Sequence, residues 1–101
     1  MSKLLAALLL ALTSTASAGG GGGPTVRYVC AGNTRIQATY TGPHARLVVG
    51  GRVLELNRVP PGPGTRYVGG GRTWWTDGGV AELYRGETPG ALISLLQCQE
   101  G

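Results

Sequence analysis

Arg35-Ile36-Gln37-Ala38-Thr39-Tyr40 decides how the chain is read, because polar and apolar residues alternate one by one, the period of an extended strand with one face buried. The same rhythm runs outward in both directions. Upstream, Val26, Tyr28 and Cys30 share one face of an earlier strand, and Asn33 sits in the turn between the two. Downstream, Gly42-Pro43 breaks the chain before Ala45, Leu47 and Val49, and Gly50-Gly51 is a tight-hairpin signal leading into Leu54 and Leu56. After Pro60 to Gly64 come a short extended piece around Tyr67, another around Trp74 and Trp75, then Val80 to Arg85 and Leu92 to Cys98. No helix is evident. Gly69-Gly70-Gly71 reads as a hairpin loop that tolerates positive φ, not as a phosphate cradle, because Arg72-Thr73-Trp74 follows where Lys-Ser/Thr would open a helix.

Eight short antiparallel strands with no helix to cover them are most economically satisfied by closure, so the expected fold is all-β, a small eight-stranded antiparallel barrel. A two-sheet sandwich is the structural alternative. The length of 101 residues suits one small domain and excludes a multidomain enzyme.

The beginning of the chain reads as a signal peptide over residues 1–18. Lys3 is its positive end, Leu4 to Leu12 its apolar stretch and Ala16-Ser17-Ala18 its cleavage site. The apolar run is far short of the roughly 20 residues that cross a bilayer. Cleavage leaves 101 − 18 = 83 residues, of which 19–24 form a Gly-rich linker and 25–101 the domain. No cysteine follows the cleavage site to carry a lipid anchor, so the mature protein is expected to be soluble, in the periplasm or secreted. Export carries Cys30 and Cys98 into an oxidising compartment, where a lone pair of thiols closes into a disulfide. The bridge spans 98 − 30 = 68 positions, a loop for which chain entropy gives about 4 kcal/mol.

Little catalytic chemistry is possible. The only histidine, His44, follows Pro43 in a turn, and both cysteines are committed, so neither a nucleophilic triad nor a structural zinc site can be assembled. Glu55 and Glu82 occupy polar phases, and Glu87 and Glu100 fall in a turn and the tail, which leaves no carboxylate pair for glycoside cleavage. No catalytic residue, cofactor or metal is expected. Removing Lys3 leaves eight arginines against five acidic residues, 8 − 5 = +3. Those arginines, at 27, 35, 46, 52, 58, 66, 72 and 85, are dispersed in sequence and read as a solvated outer surface, unlike the clustered cations of a nucleic-acid binder. Trp74 and Trp75 must point to opposite faces, one filling the barrel and the other outside it as a candidate contact residue.

Val59-Pro60-Pro61-Gly62-Pro63-Gly64-Thr65-Arg66-Tyr67, followed by Trp75-Thr76-Asp77-Gly78, resembles the bacterial membrane-bound and periplasmic inhibitors of c-type lysozyme. That family pairs a motif SGSGxxY with a second, YxxxxxxxWxKG, and Gly62, Gly64, Tyr67, Trp75 and Gly78 fall at the matching places without a gap. Tyr28-x-Cys30, Cys98 and Ala81-x-Leu83 are similar to the family's disulfide pattern and next strand. The resemblance implies an eight-stranded barrel and a non-enzymatic role in blocking host lysozyme. It also implies that serine hydroxyls of the first motif and the lysine of the second enter the lysozyme cleft and meet its catalytic carboxylates. Here Pro61 and Pro63 stand at the serine positions and Asp77 at the lysine position. Arg66 and Arg72 are candidate replacements for the cation, and Thr65 and Thr76 for the hydroxyls.

The expected partner-binding set is therefore Pro61, Gly62, Pro63, Gly64, Thr65, Arg66, Tyr67, Arg72, Trp75, Thr76 and Asp77, with a c-type lysozyme as partner and no nucleic acid. Two alternatives remain: a divergent relative that binds another envelope protein, and a peptidoglycan or glycan binder using an exposed tryptophan with nearby arginines.

Overall fold

The structure, a computed structural model, describes residues 23–60 and 62–101. The signal segment 1–18, linker positions 19–22 and Pro61 lie outside the described residues. The described residues form eight strands: β1 Thr25–Cys30, β2 Arg35–Thr41, β3 His44–Val49, β4 Arg52–Val59, β5 Thr65–Gly69, β6 Arg72–Asp77, β7 Val80–Arg85 and β8 Ile93–Glu100. Each pairs antiparallel with its neighbour in sequence, and β1 pairs with β8, so the sheet closes into a barrel. Closure leaves no unpaired edge.

Tight hairpins set the register. Gly50 and Gly51 have φ of 54° and 80°, the paired positive values of the two-residue hairpin whose twist matches the strands. They lock Val49 opposite Arg52 and Leu47 opposite Leu54. Once the register is set, alternation sends Tyr28, Ile36, Ala38, Ala45, Leu47, Leu56, Tyr67, Trp74, Ala81 and Leu83 inward together. The β1–β8 seam has three registered pairs, and one of them, Cys30 with Cys98, is joined by the disulfide.

Trp74 is fully buried at the centre of this core. Its indole N–H donates to the Tyr40 hydroxyl at 2.9 Å, and the hydroxyls of Tyr40 and Tyr28 share a hydrogen bond of 2.8 Å. The rings of Tyr28 and Trp74 meet edge to face, 5.0 Å apart. A buried polar group without a partner costs about 1–3 kcal/mol, and no buried side-chain nitrogen or oxygen is left so among the described residues.

Because successive strands alternate in direction, the connections gather at two ends. One end holds Gly42-Pro43, the 60–64 loop, Gly78-Gly79 and the C-terminus; the other holds residues 31–34, Gly50-Gly51, Gly70-Gly71 and the 86–92 loop. The arginines do not all take outward positions, which corrects the reading from sequence. Arg58 is registered opposite the buried Tyr67, and Arg52, Arg72 and Arg85 share strand faces with Leu54, Trp74 and Leu83. They stay solvated because they lie where those inner faces run out at the barrel mouths.

Candidate functional site

The 60–64 loop and the 77–80 turn are far apart in sequence, but β5 and β6 pair Thr65 with Thr76 and so bring them side by side. Two contacts bind them further. The Trp75 indole N–H donates to the Pro63 carbonyl at 2.8 Å. Gly64, at φ 70°, backs onto Thr76 so closely that any Cβ would collide with the Thr76 carbonyl. The second glycine of the loop is thus fixed by both conformation and space.

Trp75 is the outer member of the tryptophan pair, half-covered on the barrel's outside. The Arg66 guanidinium lies 5.5 Å over its ring, in cation–π range. Tyr84 packs beside it with ring centres 6.2 Å apart. The Tyr84 hydroxyl donates to Glu82 at 2.8 Å, and Ser94 donates to the other oxygen of the same carboxylate. The Ser94 hydrogen bond is the main reason the Glu82 carboxyl is held below its ordinary range; partial burial opposes that shift, while Tyr84 and Gln97 add to it. A braced row therefore runs from Ser94 through Glu82 and Tyr84 to Trp75 and ends on the Pro63 carbonyl.

The 86–92 loop also bears on this face. Thr73 points outward by phase yet is fully buried, with its hydroxyl donating to the Gly86 carbonyl at 2.7 Å. Arg66 reaches the Glu87 carbonyl at 3.4 Å. Val59, Gly62, Pro63, Gly64, Arg66, Trp75 and Pro89 together line a shallow notch at the loop's base.

Of the residues expected from sequence, Gly62, Pro63, Gly64, Thr65, Arg66, Trp75, Thr76 and Asp77 come together at one end, with Gly62, Pro63, Gly64 and Asp77 exposed. Two do not join them. Tyr67 is only 7% exposed, because its position is in phase with Trp74 and its ring lies against Tyr40 inside the barrel. Burial pushes its hydroxyl above the ordinary value, and nearby Arg58 partly offsets the shift. Arg72 begins β6, registered with Gly69 and Arg85, so it lies at the opposite end from Asp77. The Thr76 hydroxyl donates to the Thr65 carbonyl at 3.4 Å, which makes it a brace within the site. Arg58 was missed. Its alternation with Leu56 and its place just before the 60–64 loop were the available signals that it stands in phase with Tyr67 at this end. Among the described residues no cation lies within ion-pair distance of Asp77, and the single ion pair is Arg46 with Glu55. No group of three or more His, Cys, Asp or Glu able to hold a metal occurs among them.

The family described as membrane-bound lysozyme-inhibitor of c-type lysozyme matches residues 28–91, which is 91 − 28 + 1 = 64 of the 101 residues. A crystal structure of Pseudomonas aeruginosa MliC in complex with hen egg white lysozyme is similar at 23% identity and a TM-score of 0.56, covering 91% of this chain and 99% of that one. That likeness fixes the barrel fold. No curated protein matches.

Proposed function

The chain belongs to the family of membrane-bound lysozyme inhibitors of c-type lysozyme, and on that premise we propose that it plugs the substrate cleft of a c-type lysozyme with the wedge made by its 60–64 loop and 77–80 turn. It would do so in the periplasm or after secretion, where a host lysozyme would reach it. The observation that carries this reading is the hydrogen bond from the Trp75 indole to the Pro63 carbonyl, with Gly64 seated on Thr76. It makes two loops one rigid body, so little ordering entropy is lost on docking. The similar P. aeruginosa protein carries the same barrel and is itself in complex with a lysozyme.

Charge decides how the wedge meets the cleft. A cation about 4 Å from a carboxylate gains roughly 4 kcal/mol at an effective dielectric of 20, and an anion there is opposed by as much. Asp77 occupies an exposed turn and must face away from the catalytic carboxylates. Arg66, held on the Trp75 ring beside the wedge, brings a planar fork that can bond a carboxylate through two N–H groups. The exposed, unpaired Asp77 also favours one second reading: a relative whose wedge meets a less acidic cleft on another envelope protein.

Titrating the mature protein against a c-type lysozyme, with cell-wall lysis as readout, separates the two. Stoichiometric inhibition, weakened about tenfold or more by Arg66→Gln through loss of a charged hydrogen bond, supports the first reading. Inhibition gained only in Asp77→Lys supports the second, and none in either variant removes the wedge as the active element.

A further inference from the structure

The mouth at the other end of the barrel is built differently. Leu54, Leu83, Leu95, Leu96 and Val49 line an open cup of about 230 Å³, with Arg52 and Arg72 at its rim. Three features set it apart from ordinary barrel filling. First, β8 carries a bulge here: Leu83 is registered with Leu96 and Tyr84 with Ser94, so Leu95 has no cross-strand partner and faces the cup, 42% exposed. Bulges re-aim side chains in this way. Second, Arg72 is registered directly opposite Arg85, a like-charge pair that works against the sheet. Third, among the described residues neither Arg52, Arg72 nor Arg85 has a carboxylate within ion-pair distance. The nearest loop acid, Glu87, is taken by the Gly71 N–H at 2.7 Å, and Arg72 itself reaches only the Gly71 carbonyl at 3.3 Å.

We propose that this cup is a binding site for a fatty-acid-type amphiphile, with its carboxylate held by Arg52 and Arg72 and its chain lying on the leucines. Barrel mouths are common ligand sites. A floor of leucine and valine side chains selects a hydrocarbon chain, and guanidinium forks at the rim select an anionic head. The volume equals about seven or eight waters at roughly 30 Å³ each, so a single chain is accommodated and a paired-chain lipid is not. The chain's far end would run over Leu95 and Ile93, both exposed. A bound carboxylate would also relieve the repulsion between Arg72 and Arg85. The site lies away from the 60–64 wedge, so it does not rest on the inhibitor reading.

The test is a titration of the disulfide-intact protein, with leucine and valine methyl resonances observed, using decanoate, decyl phosphate and decyltrimethylammonium below their micelle concentrations. Saturable shifts with decanoate confined to Val49, Leu54, Leu83, Leu95 and Leu96 are expected. Arg52→Gln, at an exposed position, should weaken binding about tenfold or more. Leu95→Glu, also at an exposed position, should abolish it by placing a tethered carboxylate at the rim. Absent shifts, equal binding of the cationic amphiphile, or shifts spread over the outer valines 29, 48, 53 and 80 would overturn the site. Tighter binding of decyl phosphate would overturn the carboxylate assignment. Lysozyme inhibition should not change with decanoate bound.

Discussion

Trp74 and Trp75 are neighbours in the chain and belong to different parts of the molecule. Trp74 lies inside the barrel, its N–H on Tyr40, as part of a buried cluster to which every strand contributes. Trp75 lies outside, its N–H on the 60–64 loop, its ring between Arg66 and Tyr84. One indole therefore holds the fold together and the other aims a loop. The same residue type gives stability or positioning according to which side of one strand it takes, and variants can separate the two contributions.

The largest effect is expected inside. Trp74→Ala removes the biggest buried side chain and leaves a cavity, for which about 3–5 kcal/mol is typical. That is a large share of a small domain's 5–15 kcal/mol, so urea unfolding should show a collapsed midpoint or no native baseline. Reducing the disulfide comes next. The chain-entropy value for the 68-residue separation is about 4 kcal/mol, and the seam it reinforces has only three registered pairs. A reduced protein that keeps its unfolding midpoint would show that the strands hold the seam unaided.

The inner half of this comparison was legible in the sequence, because alternation assigns faces within a strand and glycine hairpins align one strand with the next. Alternation alone could not say which tryptophan turned inward. That follows from the register of Tyr67 with Trp74, which is a property of the paired strands. The outer half was less legible. The motif pointed to Tyr67 as a contact, whereas the same alternation, followed through the register, buries it. Arg72 was placed beside the loops by nearness in sequence, while β6 carries it to the far mouth. Thr73 shows the remaining gap: the 86–92 loop folds back over its outward position, and no strand period announces a loop that covers a sheet from outside.

Gly64→Ala attacks the junction between the halves. It forces a non-glycine residue into positive φ, which costs about 1–2 kcal/mol, and drives a methyl into the Thr76 carbonyl. Both stability and lysozyme inhibition should fall, whereas Gly62→Ala, with open space around it, should leave stability unchanged.

The two sides should also answer to opposite ends of the pH scale. Burial, and then the hydrogen bond with Tyr40, push the Tyr28 hydroxyl far above its ordinary value of 10.0. A raised folded value stabilises below the ordinary value and is lost as pH rises, so unfolding should become easier above about pH 10. Tyr28→Phe should flatten that slope; an unchanged slope would assign it to Tyr67 or Tyr84, which are raised as well. Outside, the lowered Glu82 value works the other way. Its contribution is present above the ordinary 4.5 and is lost as pH falls through the folded value, taking with it the support of Tyr84 behind Trp75.

Trp75→Phe should have only a small effect on stability and is the sharpest test of what the outer indole does. It keeps a ring for Arg66 and Tyr84 to pack on and removes only the N–H that reaches Pro63. Loss of one partly exposed hydrogen bond is worth about 0.5–1.5 kcal/mol, and the Pro63 carbonyl can turn to water. If Trp75 were one more packing residue, inhibition would follow stability and barely change. If it aims the wedge, the 60–64 loop loosens, the ordering entropy must be supplied on docking, and lysozyme binding weakens several-fold through faster dissociation while the unfolding midpoint hardly moves. Amide exchange at Gly62 and Gly64 should rise in the same variant, since their loop would have lost the bond that ties it to the barrel wall.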